Sequence, residues 1–186
     1  MEQTTIRAAT AEDAPIIASA IIMAIGEETA LKYCGADNRD IFEQLAREEL
    51  SQYSHRNALI AEVGGRAAGA IVGYDGARLQ ELRAHTFDAM SKHGITPTLC
   101  DDETGPGEFY IDSLGTLPEF RGRGIGRLLL ESLRDKALRE GHSHVGLIVD
   151  TDNHEAERLY LRLGFRQAGI KHFLGHTMHH LQYTQQ

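Results

Sequence analysis

At 186 residues, with 41% hydrophobic and 25% charged residues, the chain has the composition of an ordinary globular domain rather than a disordered or fibrous one. Its net charge of −8 speaks against a general nucleic-acid binder, and no apolar run approaches the roughly 18 residues of a membrane span. The N-terminus lacks a basic-then-apolar signal layout, and Cys34 and Cys100 have no metal-type spacing, so free thiols in a reducing, cytoplasmic setting are expected.

In chain order, Thr4 to Ala8 reads as a first strand. Thr10, with Asp13 three residues on and Pro15 in the first turns, reads as the start of a helix through Ile16, Ile17, Ala20, Ile21 and Ala24, which Gly26 stops. A second helix is predicted over Arg39 to Gln52, with Ile41, Phe42, Leu45 and Leu50 inward. Ala58 to Val63 and Ala67 to Tyr74 read as strands joined at Gly64-Gly65, a hairpin signal. Ala77 to Lys92 has helical spacing. Residues 94–107 read as a loop with an acidic patch, Asp101-Asp102-Glu103, taken as an insertion near the substrate site or else as a solvated loop.

Glu108 to Thr116 is predicted as a strand and Arg123 to Glu140 as an amphipathic helix, with Ile125, Leu128, Leu129, Leu133 and Ala137 on one face. Val145 to Val149 is a short apolar strand, expected to be buried on both faces. His154 to Leu163 reads as a helix ended by Gly164, and the last two strands as Phe165 to Gly169 and about Gly175 to Tyr183. The chain reads as one domain, residues 1–186. His172, His176, His179 and His180 cluster near its end, and no metal is expected there.

The most informative stretch is Arg121-Gly122-Arg123-Gly124-Ile125-Gly126. It lies between a predicted strand and a predicted helix. Glycines let a ligand approach bare backbone, a helix start offers unpaired N–H groups, and Arg121, Arg123 and Arg127 add positive charge. Such a turn suits a phosphate or pyrophosphate. A dinucleotide fingerprint fails, because the place of its third glycine is Arg127. A P-loop fails too, because neither Gly-Lys-Ser nor Gly-Lys-Thr occurs.

The spacing Arg-x-x-Gly-x-Gly, preceded by Thr116-Leu117-Pro118-Glu119-Phe120, resembles the coenzyme A loop of the GNAT superfamily of N-acetyltransferases. The string from Tyr110 to Leu130 resembles that family's strand–loop–helix unit. Asn153, Ala156, Leu159-Tyr160 and Leu163-Gly164-Phe165 resemble a second family element downstream. The resemblance runs from about Asn57 to Phe165. It implies an α/β fold with a mixed, mostly antiparallel sheet, helices on both faces, and a parallel strand pair that splays to admit coenzyme A. Here those strands are Glu108–Thr116 and Val145–Val149. It further implies that the backbone of Leu114, Gly115 and Thr116 pairs with the pantetheine arm, an exposed N–H polarising the thioester carbonyl. The turn Arg121, Gly122, Arg123, Gly124, Ile125, Gly126 and Arg127 would take the pyrophosphate.

Transfer of an acetyl group to an amine needs a neutral amine, an oxyanion donor and a proton for the departing thiolate. Tyr160 matches a family position near the cofactor sulfur, where a phenol of pKa about 10 is protonated and able to donate. As part of the stripe Ala156, Leu159, Tyr160, Leu163 it is otherwise a core tyrosine. Asn153 matches a position that contacts the pantetheine arm, and equally suits a helix cap. Glu108, Tyr110 and Asp112 alternate and so share one strand face, with Glu108 and Asp112 about 13 Å apart by strand rise. Glu108 is the first choice for a water-relayed base and Asp112 the second. Asp101, Asp102 or Glu103 could instead bind the amine's charge.

The expected activity is acetyl transfer from acetyl-CoA to a primary amine, a small molecule or a peptide N-terminus, by direct attack in a ternary complex. No metal, nucleic acid or membrane is expected to take part, and the assembly is a monomer or homodimer. The alternative is a non-catalytic coenzyme A binding or sensor domain.

Overall fold

A computed structural model describes residues 2–97 and 100–185. Seven strands form one sheet: β1 (Thr4–Ala8), β2 (Ala58–Val63), β3 (Arg66–Asp75), β4 (Phe109–Thr116), β5 (His144–Asp150), β6 (Arg166–Phe173) and β7 (His176–Thr184). Their order is β1-β2-β3-β4-β5-β7-β6, and every neighbouring pair is antiparallel except β4 with β5. Six helices accompany them: α1 (Ala14–Ile25), α2 (Glu27–Cys34), α3 (Asn38–Arg47), α4 (Leu79–Lys92), α5 (Ile125–Arg139) and α6 (His154–Arg162). Among the described residues no single helix is long and apolar enough to cross a membrane.

Two apolar cores result. One packs α1 and α3 on the sheet through Ile17, Ile21, Phe42, Leu45, Ile60 and Val72. The other seats α5 through Leu129, Leu130 and Leu133 on Phe109, Ile111 and Val145. Where α1 crosses β4 the backbones nearly touch, because a Cβ on Gly115 would lie 2.6 Å from the Ala20 Cα.

Two helix expectations are corrected. Gly26 does end α1, but with φ +84° it also starts α2, which lies at 109° to the preceding helical segment. The second predicted helix ends at Arg47, not Gln52, and Leu50 is 42% exposed rather than inward. The chain folds back instead: Ser51 Oγ donates to the Leu45 carbonyl, Asn57 Nδ2 donates to the carbonyls of Ser51 and Gln52, and the Gln52 N–H donates to Thr86 Oγ1 on α4. These tertiary bonds override the helical period and carry Gln52 and Tyr53 into the molecule.

The feature that positions the site is the β4–β5 seam. The two strands pair only at Phe109↔Val145 and Tyr110↔Gly146, and then part. On its other edge β4 stays paired to β3, except that Val72 faces Ser113 and Gly73 faces Ile111, so Asp112 is the extra residue of a β-bulge. The seam is closed at its near end by Glu108, whose carboxylate lies where a Cβ on Gly146 would be. Gly146→Ala should therefore force Glu108 from its hydrogen bonds and cost about 1–3 kcal/mol. Urea unfolding checks this, and an unchanged midpoint would show that the seam tolerates the methyl group.

Candidate active site

Beyond Tyr110 the parting strands open a cavity of about 270 Å³. Its walls include Asp112, Ser113 and Leu114 of β4, residues 147–150 of β5, and Asn153, Ala156 and Tyr160 of α6. Met23 to Ile25 of α1, Gln52, Tyr53 and Glu103 close the inner end. A second groove of about 550 Å³ adjoins it, sharing Thr29, Tyr33, Cys100, Phe173, Leu174 and His176.

Of the residues singled out from sequence, the structure brings Glu103, Asp112, Leu114, Asn153 and Tyr160 to this one cavity. Glu108, Gly115, Thr116 and the turn from Arg121 to Arg127 lie outside it. The turn follows directly from the end of β4, and Arg121 Nε donates to the Thr116 carbonyl at 3.3 Å. Gly122 and Gly124 have φ of +74° and +77°, a region that favours glycine, and nothing lies within 4 Å of where their Cβ atoms would be. Gly124 is the N-cap of α5 and supplies no side-chain acceptor, so the first N–H groups of a 15-residue helix are left for an anion. The arginines are not equivalent. Arg127 is bonded to Glu131 one turn along at 3.0 Å, whereas Arg123 lies over the Phe120 ring at 5.5 Å with Glu2 at 3.9 Å.

The two candidate bases occupy opposite environments. Glu108 is buried and accepts from Thr104 Oγ1 at 2.7 Å, Gln182 Nε2 at 2.7 Å and His180 Nε2 at 3.0 Å. Burial alone would raise its pKa, but the donors together outweigh burial and hold the carboxyl below its usual range. It is a clamp tying β4, β7 and the 94–107 loop together. Asp112, the extra residue of the bulge, accepts from Ser113 Oγ at 2.7 Å and lies 3.4 Å from Tyr74 Oη, whose single proton has Glu103 nearer at 3.2 Å. Burial, then the nearby charge of Glu103, push its pKa up to about 7. Tyr110, predicted to share its face, is buried against Tyr74, Leu79 and Leu82.

Tyr160 faces the cavity with its ring edge-on to Phe165, and burial pushes its pKa up to about 12, so the phenol stays protonated. Asn153 caps α6, its Oδ1 accepting from the Ala156 N–H at 3.2 Å, which leaves its amide nitrogen for a ligand. Burial also pushes the Cys34 thiol up to about 12 and raises Cys100, so neither is primed as a thiolate.

The acidic loop is not a free patch. Arg83 on α4 donates to Asp102 Oδ1 at 2.7 Å, to the Asp101 carbonyl at 3.3 Å, and to Glu103. Glu103, 2% exposed, also accepts from Tyr74 Oη and Gln52 Nε2 at 3.2 and 3.1 Å. Burial raises its pKa despite Arg83. The sequence carries one sign of this network: Arg83 stands on the buried face of α4 beside Leu79, Leu82 and Thr86. Gln52, Tyr53, Tyr74 and Tyr33 carry none. Three of the four clustered histidines go to separate carboxylates, His176 to Asp150, His179 to Glu157 and His180 to Glu108. Among the described residues no group of three or more His, Cys, Asp and Glu could hold a metal ion.

The opposed shifts give opposed pH dependences. Glu108, lowered on folding, stabilises above the unfolded carboxyl pKa of about 4.3, and that stability is lost as pH falls through its folded pKa. Asp112, raised on folding, contributes stability that is full below the unfolded pKa of about 3.9 and lost as pH rises through about 7. In urea unfolding from pH 3 to 8.5, Glu108→Gln should destabilise most at neutral pH and least at pH 3. Asp112→Asn should gain on the wild type between pH 4 and 7. The same pH trend in both variants would contradict these assignments.

The chain resembles known acetyltransferases in sequence and in fold. N-alpha-acetyltransferase RimI of Mycobacterium tuberculosis is 36% identical over 125 residues, which are 67% of this chain and 60% of the relative. The ribosomal protein bS18-alanine N-acetyltransferase of Salmonella typhimurium is 33% identical over 99 residues, 53% of this chain and 63% of the relative. The match thus spans less than two thirds of these curated relatives. The crystal structure of an N-acetyltransferase from Staphylococcus aureus Mu50 superposes with a TM-score of 0.83 at 27% identity, covering 96% of this chain and 99% of that one. The sequence profile described as the acetyltransferase (GNAT) family matches residues 27–165, and the chain belongs to that family.

Proposed function

We propose that residues 1–186 form one catalytic domain that transfers an acetyl group from acetyl-CoA to a primary amine, by direct attack within a ternary complex. The observation that carries this reading is that a carboxyl with pKa near 7, Asp112, and a protonated phenol, Tyr160, line one cavity where two parallel strands part. Membership of the acetyltransferase (GNAT) family supports acetyl-CoA as the donor. The names of the two curated relatives support a peptide or protein N-terminus among the acceptors.

The residues present fit such a donor. Gly122, Gly124 and the uncapped start of α5 suit its pyrophosphate, and Arg121 and Arg123 add charge. The β4 edge from Leu114 to Thr116, unpaired with β5, suits an extended amide chain, with Asn153 Nδ2 on the opposite wall. The thioester supplies the electrophilic carbonyl. Asp112, rather than Glu108, takes the proton that the amine gives up as its nitrogen bonds to that carbon. Tyr160 donates a proton to the sulfur as the carbon–sulfur bond breaks. A pKa near 7 serves this role: at pH 8 Asp112 is ionised, yet its conjugate acid is strong enough to pass the proton on. The raised thiol pKa values favour direct attack over an acyl-cysteine intermediate. A coenzyme A sensor would need neither the tuned carboxyl nor the phenol, which favours the enzyme.

Three outcomes are expected. Coenzyme A release with amine acceptors should show kcat/KM falling below about pH 7, and Asp112→Asn should abolish this limb and lower activity roughly 100-fold or more at pH 8. An unaltered profile in Asp112→Asn would remove Asp112 as the base. Tyr160→Phe should lower kcat by about 10- to 100-fold with acetyl-CoA affinity intact; undiminished turnover would make Tyr160 a packing residue. Gly124→Val should abolish acetyl-CoA binding in calorimetry, since φ of +77° strains the valine and its side chain occupies the anion's approach. Full affinity in a folded Gly124→Val protein would dismiss the turn as the pyrophosphate site.

A further inference from the structure

We propose that Gln52 positions the acceptor nitrogen and selects primary over secondary amines. The proposal rests on acetyl transfer to an amine at this same cavity.

Gln52 lies in the fold-back between α3 and β2 and is 3% exposed, yet it forms part of the cavity wall that holds Asp112. Its side-chain nitrogen is fully used: Nε2 donates to Tyr74 Oη and to Glu103 Oε1, both at 3.1 Å. Its side-chain oxygen is not. Oε1 is buried and has no hydrogen-bond partner among the described residues. The opposite amide orientation would turn that oxygen onto the Glu103 oxygen that already accepts from Tyr74, so the donors fix which way the amide points. Buried polar atoms without partners are rare in folded proteins, and leaving one costs about 1–3 kcal/mol. Gln52 is one of the residues lining the cavity, and a donor that arrives with the substrate would pair with this buried acceptor.

The neighbours show what kind of donor. Tyr74 Oη contacts both Gln52 Nε2 and, at 3.4 Å, Asp112 Oδ2, so Gln52 and Asp112 meet at one phenol. The terminal nitrogens of Arg83, the cation of this inner end, are taken by Asp102, the Asp101 carbonyl and Glu103. The inner wall thus presents one unpaired acceptor, Gln52 Oε1, in the same cavity as the Asp112 carboxyl. A neutral primary amine has one lone pair and two N–H bonds. The lone pair forms the new bond to the carbonyl carbon. One N–H proton passes to Asp112 as the carbon–sulfur bond breaks and the sulfur takes its proton from Tyr160. The other N–H survives into the product amide, and Gln52 Oε1 accepts from it throughout. A secondary amine has only the N–H that is lost, so it leaves Oε1 unpaired.

The test uses matched acceptors: an alanyl tripeptide, putrescine and phenethylamine, each against its N-monomethyl counterpart. Wild-type kcat/KM should favour the best primary amine over its N-methyl form by roughly 10- to 100-fold. Gln52→Met keeps the length but removes the acceptor. Its kcat/KM for the primary amine should fall by a similar factor, while the N-methyl acceptor changes by no more than about threefold, so the preference collapses. A purely structural role for Gln52 would disturb Asp112 and lower both acceptors together, leaving the ratio intact. Gln52→Lys supplies a second variant that retains donors toward Tyr74 and Glu103 without an acceptor, and the ratio should collapse there too. A wild type that uses both acceptors equally overturns the proposal whatever the variants do. So does a preference that persists in either variant, which would mark steric exclusion of the methyl group. No transfer to any amine would instead overturn the acetyltransferase reading and the role of Gln52 with it.

Discussion

The structure turns on the length of the β4–β5 seam. Two parallel strands in a sheet interior ordinarily pair along their length, because buried N–H and C=O groups need partners. Here pairing stops after Tyr110 and Gly146, and β4 from Asp112 to Leu114 faces a cavity instead of a strand. The sheet survives this because its closed end is tightly held. Glu108 draws donors from β7 and from the 94–107 loop to the point where β4 begins, and Gly146 leaves room for its carboxylate. The bulge at Asp112 then falls where the strands begin to part, so the residue displaced from the ladder is the one delivered to the cavity.

Three carboxyl groups in this region show how environment assigns roles. Glu108 has three donors and is held ionised. Glu103 has Arg83, Tyr74 and Gln52, and burial still raises its pKa. Asp112 has one close donor, and the neighbouring charge of Glu103 adds to burial. Ionising Asp112 near pH 7 therefore opposes stability while it creates the proposed base. Such opposition between stability and function is common at catalytic positions. Arg83 has a double effect: it fixes the acidic loop against α4, and by holding Glu103 in place it maintains the charge that tunes Asp112.

Local signals were readable in the sequence. The glycine-rich turn, the apolar stripe of α5 and the Asn153–Tyr160 helix are set by short-range spacing, and the structure has them within a residue or two of expectation. What failed depends on contacts distant in sequence. Leu50 continues the helical period of α3, but Ser51, Asn57 and Thr86 pull the chain out of the helix after Arg47, and that displacement puts Gln52 in the site. The one-residue bulge at Asp112 cannot be seen in a pattern of strict alternation. The different environments of Glu108 and Asp112 depend in part on donors from β7, more than 70 residues away from Glu108. The second helical segment after Gly26 was hidden because a glycine that ends one helix can also begin the next.

The central claim is that Asp112 is the group with near-neutral pKa at the open seam. Carbon-13 NMR of protein labelled at aspartate side-chain carboxyls, titrated without substrates from pH 3 to 9, tests it directly. The account predicts one aspartate resonance with a midpoint near pH 7, absent from Asp112→Asn. If the resonance lost in Asp112→Asn titrates below about pH 5, Asp112 is an ordinary carboxylate and the account of the site is contradicted.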